Sequence, residues 1–351
     1  MKALIAMSGG VDSSVAAYLM KDYERIGCTM RLFESEEDKK SENSCCSLED
    51  VEDARAVCQK LQIPYYVFNF QEDFEEKIIR RFVSCYQQGR TPNPCIDCNK
   101  YMKFEKLLQR AGELSCDCVV TGHYARIEEQ DGKFLLKKAK DASKDQSYVL
   151  YSLTQEQLAH IRFPLGEYTK DEVRNIAQEN GFVNAKKKDS QDICFVPDGD
   201  YASFIERYTG EVKTGDFLLS SGEKVGTHKG IVHYTIGQRK HLGIALGRPI
   251  FVTKVDAQSN TVILGDEEEL FSTEAVVKDF NWIAGEIPTE PVRCTAKTRY
   301  RQKEVGAMAY PVEDGWVRLV FDTPIRAITP GQAAVLYQGD IVLGGGEIIL
   351  E

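Results

Sequence analysis

No apolar stretch of this 351-residue sequence reaches the ~18 residues that a membrane-spanning helix needs. The N-terminus also lacks the basic start and the cleavage site of a secretory signal peptide. These two absences predict a cytosolic protein with no membrane partner. The eleven cysteines are an odd number in a chain without a secretory signal, so we expect thiols rather than a framework of disulfides.

Two common site signatures are also missing. The glycine-rich loop near the start lacks the GK[ST] ending of the Walker phosphate loop, which excludes that type of nucleotide site. Cys95 and Cys98 form a C-x-x-C pair, but no second pair with zinc-like spacing follows, which argues against a closed four-ligand zinc site. The pair can still be a redox dithiol, half of a metal site or two incidental thiols.

The net charge of −10 argues at first against nucleic acid as a partner. The negative charge is concentrated, however: residues 34–53 hold nine acidic residues and two lysines, a net of −7, which leaves −3 for the rest of the chain. We expect residues 34–43 to be a mobile surface stretch. Basic clusters lie elsewhere, at Arg80-Arg81, Lys186-Lys187-Lys188, Arg239-Lys240 and 299–303. The charge therefore permits a polyanionic partner without requiring one.

The loop 8–14 (SGGVDSS) follows a short apolar run and precedes residues that recur at helical spacing. It is predicted to lie between a buried strand and a helix N-terminus, where free backbone N–H groups attract an anion. Gly9 and Gly10 allow the backbone to approach a phosphate, and the hydroxyls of Ser8, Ser13 and Ser14 can donate to it. Asp12 suits a phosphate that carries Mg²⁺. The alternative is a helix-capping turn without a ligand, but the complete pattern after the first strand favours nucleotide binding.

Up to about residue 200, short apolar runs alternate with longer amphipathic stretches, which predicts an α/β fold with a parallel sheet. Ligands of such folds bind at the carboxyl edge of the sheet, where the loop 8–14 and Gly122-His123 would both lie. The predicted strands cover residues 26–33, 65–68 and 118–121, and the predicted helices cover 48–61 and 74–86.

Near residue 205 the helical periodicity gives way to short β-rich segments separated by glycine. We expect strands at 216–219, 233–236 and 250–253, a hairpin over 255–265, and further strands at 293–301, 315–321 and 333–337. The predicted architecture has three parts: an N-terminal parallel-sheet nucleotide domain (1–204), a small β-rich central domain (205–272) and a C-terminal β-barrel (273–351).

Cys194 is a second candidate for thiol chemistry, because three lysines precede it and nearby positive charge raises the thiolate fraction. Cys45 and Cys46 lie in a polar context and have no predicted partner. The other cysteines are expected to be small buried hydrophobic residues: Cys28, Cys58, Cys85, Cys116, Cys118 and Cys294.

The loop 8–14 resembles the SGGxDS pyrophosphatase loop of enzymes that split ATP between its α- and β-phosphates and form adenylates. Seven further segments strengthen a resemblance to the tRNA-specific 2-thiouridylases and follow that family's order along nearly the whole chain. They are GRTPNP from Gly89, TGHY from Thr121, KDQSY from Lys144, AKKKDS from Ala185, TIGQRK from Thr235, KTRYR from Lys297 and TPGQ from Thr329.

The resemblance implies an enzyme that adenylates the C2 oxygen of a tRNA wobble uridine with ATP and replaces that oxygen with sulfur. It implies ATP-binding positions at Ala6, Met7, Ser8, Gly9, Gly10, Val11, Asp12, Ser13, Met30 and Gly122. It implies contacts to tRNA or to the target base at Asn93, Pro94, Cys95, His123, Lys144, Asp145, Gln146, Arg299, Tyr300 and Gln332.

By the same resemblance, Cys98 is the catalytic nucleophile, and Cys194 carries a persulfide delivered by an upstream sulfur donor. Persulfide attack on C2, followed by thiol attack on the sulfur bridge, would end in a Cys98–Cys194 disulfide. Better-known members of the family have aspartate at the position of Cys95. Cys95, Cys98 and Cys194 could therefore hold an iron–sulfur cluster with one open iron site instead, and this second mechanism stays open.

Two other functions would each explain part of the sequence. An enzyme of the same loop class that ligates an amine to an adenylated carboxylate would share the loop 8–14, but it has no use for paired cysteines. A non-catalytic RNA-binding protein would explain the basic β domains, but not an intact ATP loop.

Overall fold

The computed structural model describes residues 1–33, 48–187, 193–210 and 212–349. Its strands are β1 (Lys2–Ala6), β2 (Glu24–Arg31), β3 (Tyr65–Asn69), β4 (Cys118–Val120), β5 (Ala125–Gln130), β6 (Lys133–Lys138), β7 (Ile161–Arg162), β8 (Gly215–Leu219), β9 (Lys224–His228), β10 (Phe251–Asp256), β11 (Thr261–Gly265), β12 (Phe271–Trp282), β13 (Val292–Lys297), β14 (Val305–Val312), β15 (Trp316–Arg326), β16 (Ala333–Gln338) and β17 (Ile341–Ile349). Its α-helices are α1 (Val11–Leu19), α2 (Leu48–Lys60), α3 (Gln71–Phe74), α4 (Arg80–Gln87), α5 (Pro94–Asp97), α6 (Leu107–Glu113), α7 (Gln155–Ala159), α8 (Lys170–Glu179) and α9 (Tyr201–Thr209).

The N-terminal part is built on a parallel sheet with the strand order β3-β2-β1-β4-β7. Side chains of β1 alternate between its two faces, as a strand requires. Ala3 and Ile5 pack in a core with residues of α1, α2 and α8, while Leu4 packs on the other side against Leu107 and Ala111 of α6. The predicted α/β fold is therefore confirmed.

The strand order places a topological switch beside β1. The chain runs from β1 to β2 and β3 on one side and returns as β4 on the other side. The loops that leave β1 and β4 therefore part in opposite directions and open a crevice at the carboxyl edge. The loop 8–14 and Gly122 lie at that crevice.

Two helical stretches contain π-helical turns. Residues Glu75–Ile79 form one between α3 and α4, and Cys98–Lys106 form a longer one between α5 and α6. The helix predicted over 74–86 is thus present, with a wider turn inside it. π-Helical turns are frequent at functional sites, and here one of them begins at Cys98.

The central part contains a sheet with the order β10-β11-β8-β9. Its core residue Phe217 belongs to the same cluster as Phe74 and Phe82 of the N-terminal part, and Phe204 of α9 joins them. The predicted hairpin over 255–265 is confirmed by β10 and β11. The strand predicted at 233–236 is wrong: a 3₁₀ turn, Ile231–His233, begins after Gly230, whose φ of 129° breaks the extended chain.

The C-terminal part is a closed barrel, because β12 pairs with both β15 and β17 in the cycle β12-β15-β14-β13-β16-β17. An antiparallel hairpin from the N-terminal part, β5 and β6, extends this sheet where Lys137 pairs with Ile341 of β17. That hairpin was not predicted from the sequence. The predicted strand at 293–301 ends at Lys297, where Thr298 begins a turn through its bond to Gln302.

No helix in the described parts of the chain is long and apolar enough to cross a membrane. The acidic stretch 34–43, Cys45, Cys46 and Lys188 lie outside the described residues.

Candidate active site

The loop after β1 is shaped by its own serines. The hydroxyls of Ser13 and Ser14 each donate to the carbonyl oxygen of Gly10, at 3.0 Å, and the backbone N–H of Ser8 donates to the Ser13 hydroxyl at 3.1 Å. Because the first N–H groups of α1 have no preceding helical carbonyl, they are available to an anion at this end. Ser13 therefore shapes the loop, and its role as a phosphate donor stays a prediction.

Two glycines are required by close contacts around this loop. Gly9 has a φ of +73°, and a Cβ there would lie 2.4 Å from the carbonyl oxygen of Asp50. A Cβ on Gly122 would lie 2.9 Å from the backbone nitrogen of Ser13. The end of β4 thus packs directly on the first turn of α1, and a larger residue at either position would displace the loop.

Asn184 is a buried residue of this site that the sequence analysis missed. Its side-chain amide donates to the carbonyl oxygen of Gly9 at 2.8 Å and to the hydroxyl of Ser14 at 2.9 Å. Three residues later, Lys187 bonds to Asp50 at 2.8 Å and to Asp53 at 2.7 Å, near the start of α2. These bonds hold residues 184–187, which precede Cys194 in the chain, against the loop 8–14 and the start of α2.

Asp12 is paired with Lys170, a second residue that the sequence analysis missed. The ammonium of Lys170 lies 2.8 Å from each carboxylate oxygen of Asp12, and the hydroxyl of Tyr124 donates to the same carboxylate at 2.8 Å. The side chain of Lys170 is buried, with 8% exposed. Asp12 is thus a carboxylate held by an ammonium ion and a phenol.

This pairing bears on the predicted Mg²⁺ site. The described residues contain no group of three or more histidine, cysteine, aspartate or glutamate side chains that could hold a metal ion. A Mg²⁺ ion that arrives on ATP needs only one or two protein carboxylates besides the phosphates. The described residues therefore do not form a resident magnesium site, and Asp12 as a ligand of ATP-bound Mg²⁺ stays a prediction.

The three candidate thiols differ in their surroundings. Cys95 is exposed on α5, where its N–H donates at 3.2 Å to the side chain of Asn93, the residue that caps the helix. Cys98 and Cys194 are partly buried, and both border the cluster that contains Phe82 and Phe195. Cys95, Cys98 and Cys194 are all among the described residues, so the absence of a three-ligand group there applies to them: this arrangement does not fit a three-cysteine cluster.

Most of the other described cysteines are buried, as expected, and Cys116 is partly buried. Burial raises the pKa of Cys58 to about 12 and that of Cys294 to about 11, and it raises the pKa of Cys28 further. These thiols stay protonated at neutral pH and take no part in nucleophilic chemistry.

The segment 144–146 is held by its own side chains. The carboxylate of Asp145 accepts from the N–H of Ala139 at 3.0 Å and from the hydroxyl of Ser147 at 2.8 Å. Gln146 accepts from the N–H of Tyr124 at 2.9 Å, which joins the segment to the residue directly before β5. Asp145 and Gln146 therefore fix the loop that presents Lys144.

Two residues expected at the tRNA surface have internal contacts instead. His123 is buried with its Nδ1 2.6 Å from the Thr121 hydroxyl, and burial together with Lys103 holds its pKa well below the usual value, so it is neutral. The guanidinium of Arg299 donates to the carbonyl oxygens of Ile236 and Ala327 at 3.2 and 2.9 Å. In this conformation neither side chain has the open charged face that a phosphate contact requires.

Three further predicted site residues have contacts in the structure: Tyr300, Gln332 and Met30. The Tyr300 hydroxyl donates to the carbonyl oxygen of Asp145 at 3.3 Å, and Gln332 donates to the carbonyl oxygen of Thr91 at 2.7 Å. Met30, near the end of β2, packs against the same cluster as Cys98 and Cys194. The structure thus brings one predicted ATP position and the two predicted reactive thiols to one apolar cluster.

Comparison with known families covers nearly the whole chain. Residues 1–198 match the family model described as tRNA methyl transferase HUP domain, 202–266 match the tRNA methyl transferase PRC-barrel domain, and 272–348 match the Aminomethyltransferase beta-barrel domain. Among solved structures, NMN synthetase from Francisella tularensis aligns with 54% of this chain and 66% of its own at 18% identity, with a TM-score of 0.32, too low to bear on function.

Curated relatives are far more similar. The tRNA-specific 2-thiouridylase MnmA of Acetivibrio thermocellus is 53% identical over 354 residues, which cover 99% of each chain. The protein of the same name from Clostridium perfringens strain 13 is 52% identical over 351 residues, which cover 99% of this chain and 98% of its own. On this similarity, the chain belongs to the tRNA-specific 2-thiouridylase family.

Proposed function

We propose that this protein, a tRNA sulfurtransferase by its family, adenylates a wobble uridine with ATP and exchanges the C2 oxygen for sulfur carried by Cys194. The observation that carries the proposal is that Cys98, Cys194 and Met30 all border one large apolar cluster. Met30, an expected ATP position, lies on β2, which pairs with β1, the strand that leads into the loop 8–14. An expected ATP position and two partly buried thiols on the same cluster suit a reaction that uses both.

The first half of the reaction uses the loop 8–14. The C2 oxygen of uridine attacks the α-phosphorus of ATP and pyrophosphate leaves, so the oxygen becomes part of an AMP leaving group. The N-terminus of α1 stabilises the negative charge of the phosphates. The Asp12–Lys170 pair holds the first turn of α1 against α8, which keeps these N–H groups in place.

The second half uses the thiols. The terminal sulfur of a Cys194 persulfide attacks C2, the C2–oxygen bond breaks, and AMP leaves with the oxygen. The thiolate of Cys98 then attacks Sγ of Cys194 and breaks its bond to the transferred sulfur, which keeps the electron pair and remains on C2. The product is 2-thiouridine and a Cys98–Cys194 disulfide, so a thiol reductant and a persulfide donor must restore the enzyme before each turnover.

We also propose that the tRNA lies across the N-terminal part and the C-terminal barrel, near Asn93, Lys144, Tyr300 and Gln332. The ammonium of Lys297 supports this placement, because it lies 5.9 Å from the ring centre of the partly buried Tyr300. Aromatic rings beside cations suit splayed RNA bases and phosphates.

The proposed function is tested with purified protein, ATP, a persulfide source, a reductant and unmodified tRNA. We expect AMP, pyrophosphate and 2-thiouridine in equal amounts, with the nucleoside identified by mass spectrometry after tRNA digestion. A tRNA whose wobble position is cytidine is the matched control and should give no thiolated nucleoside. Amide formation from a carboxylate and an amine, without thiolated tRNA, would support the ligase alternative and contradict the proposal.

Arg299 and Arg301 offer a matched pair for separating structural from RNA-binding roles. Arg299→Ala removes bonds that join residues of the central part and the barrel, so we expect it to lower the free energy of unfolding by about 2 kcal/mol. Arg301 is exposed, and Arg301→Ala should instead flatten the salt dependence of tRNA affinity by about one phosphate contact. Denaturant titration and filter binding across a salt series measure both. A stable Arg299→Ala variant with a flattened salt slope would make Arg299 a direct phosphate contact.

A further inference from the structure

The segment that precedes the cysteine pair is bonded to the C-terminal barrel. The N–H of Thr91 donates to the carbonyl oxygen of Pro330 at 2.8 Å, and the carbonyl oxygen of Thr91 accepts from the Gln332 side chain at 2.7 Å. Between them Gly331 has a φ of +87°, and a Cβ there would lie 3.0 Å from the nitrogen of Thr91. The backbone just before Asn93 therefore runs in close contact with the barrel.

A buried carboxylate of the barrel lies beside this contact. Glu347, on β17, has 10% of its side chain exposed and accepts from Arg81 of α4 at 2.8 Å. Its other oxygen accepts from Arg90, and Lys278 lies 3.9 Å away on the neighbouring strand. A carboxylate so buried needs these cations, because an unpaired buried charge is strongly unfavourable.

Arg81 also bonds to the cysteine turn itself. Its Nε lies 3.1 Å from Oδ2 of Asp97, the residue that ends α5 directly before Cys98. Only 14% of the Asp97 side chain is exposed. Burial is the main influence on this carboxyl group and raises its pKa to about 6, while Arg81 acts to lower it. Asp97 thus depends on Arg81 for an ion partner.

We propose that Arg81 is a positioning residue for the reaction: it connects Glu347 of the barrel to Asp97 and so fixes the turn that carries Cys98. The guanidinium of Arg81 donates from Nε to Asp97 of the turn and from Nη2 to Glu347 of the barrel. A displacement of the barrel would therefore also displace Asp97, the residue beside Cys98. The inference rests on the proposed role of Cys98 as the nucleophile that releases the product.

The chemical reason is the geometry of sulfur exchange. Cys98 must approach Sγ of Cys194 along the bond that breaks, and a misplacement of about 1 Å can cost on the order of a hundredfold in rate. Cys98 also begins a π-helical turn, a local geometry that is frequent at functional sites. The bond from Arg81 to Asp97 holds the residue directly before that turn.

Glu347→Gln tests this role because it keeps the shape and removes the charge. We expect the single-turnover rate of thiolation to fall about tenfold or more, while the affinity for tRNA and the release of pyrophosphate change less than twofold. The rate at which iodoacetamide alkylates Cys98, measured by mass spectrometry, should change in the same variant. Glu274→Gln is the matched control, since Glu274 pairs with Arg318 on the exposed face of the same barrel, and it should behave as wild type.

Variants of Arg81 provide a second test of the inference. If Glu347 acts through Arg81, the double variant Arg81→Gln/Glu347→Gln should be no slower than Arg81→Gln alone, and Arg81→Lys should recover part of the rate. Additive losses, a wild-type rate in Glu347→Gln, or a loss equal to the fraction of unfolded protein would each overturn the inference. Cys98→Ser distinguishes failure of the proposed function from failure of this inference. If Cys98→Ser thiolates tRNA normally, Cys98 is not the nucleophile. If Cys98→Ser is inactive while Glu347→Gln is fully active, only the positioning role is refuted.

Discussion

Cys98→Ser is expected to stop thiolation at a covalent intermediate, with tRNA bound to Cys194 through a sulfur bridge. Serine cannot attack that bridge, whereas adenylation and persulfide attack do not need Cys98. Dithiothreitol should replace the missing thiol and release 2-thiouridine in a single turnover. A gel shift that the reductant reverses, followed by nucleoside mass spectrometry, measures both events.

Cys194→Ser is the matched control, because it removes the sulfur carrier itself. We expect its thiolation to fall at least a thousandfold, to the level without enzyme, with no covalent tRNA and with pyrophosphate release retained. Thiolation by Cys194→Ser at a normal rate, or the lack of any adduct in Cys98→Ser, would contradict the persulfide route.

Cys95→Ser distinguishes that route from the iron–sulfur alternative. Two thiols suffice for the persulfide route, so Cys95→Ser should only slow thiolation. Stoichiometric iron and sulfide in protein prepared without oxygen, together with an inactive Cys95→Ser variant, would favour the cluster instead.

Asp12→Ala is expected to reduce tRNA-dependent pyrophosphate release at least a hundredfold and also to destabilise the protein. It leaves the buried ammonium of Lys170 without its carboxylate partner. Removal of one partner of a buried ion pair lowers the free energy of unfolding by about 3–5 kcal/mol. Because a third of the Asp12 side chain is exposed, we expect a smaller loss here, of about 2–3 kcal/mol.

The double variant Asp12→Ala/Lys170→Met separates stability from catalysis. It removes both charges, so thermal unfolding should recover toward the wild-type temperature while pyrophosphate release stays low. Recovery of both properties would mean that the pair only stabilises the fold. Normal pyrophosphate release in the single variant would refute the role of the loop in ATP cleavage.

The loop 8–14 and its sheet could be predicted because their signals are local. A strand, a glycine-rich turn and the start of a helix occur within twenty residues, and the continuous apolar run of residues 3–7 marks a buried strand. The same reasoning found α2 and the hairpin of β10 and β11. It failed at residues 233–236, where β-branched and aromatic residues suggested a strand but Gly230 turns the chain.

The partners of the site could not be predicted, because they are distant along the chain. Lys170 and Asn184 reach the loop from more than 150 residues away, and nothing in their own neighbourhood marks them. Glu347 meets Arg81 across 266 residues. Arg299 has the same limit: the basic cluster around it does not reveal that the fold turns this guanidinium inward onto carbonyl groups.

The apolar clusters do not follow the three parts of the sequence, and this governs how the protein unfolds. One cluster joins Phe82 to Phe217, and another joins Tyr148 to Tyr337 of the barrel. Cutting the chain between the parts would expose both clusters to water, so an excised fragment would be prone to aggregate. Loss of one part on heating likewise removes packing partners of the next. We therefore expect the three parts to unfold together, in a single transition in thermal unfolding.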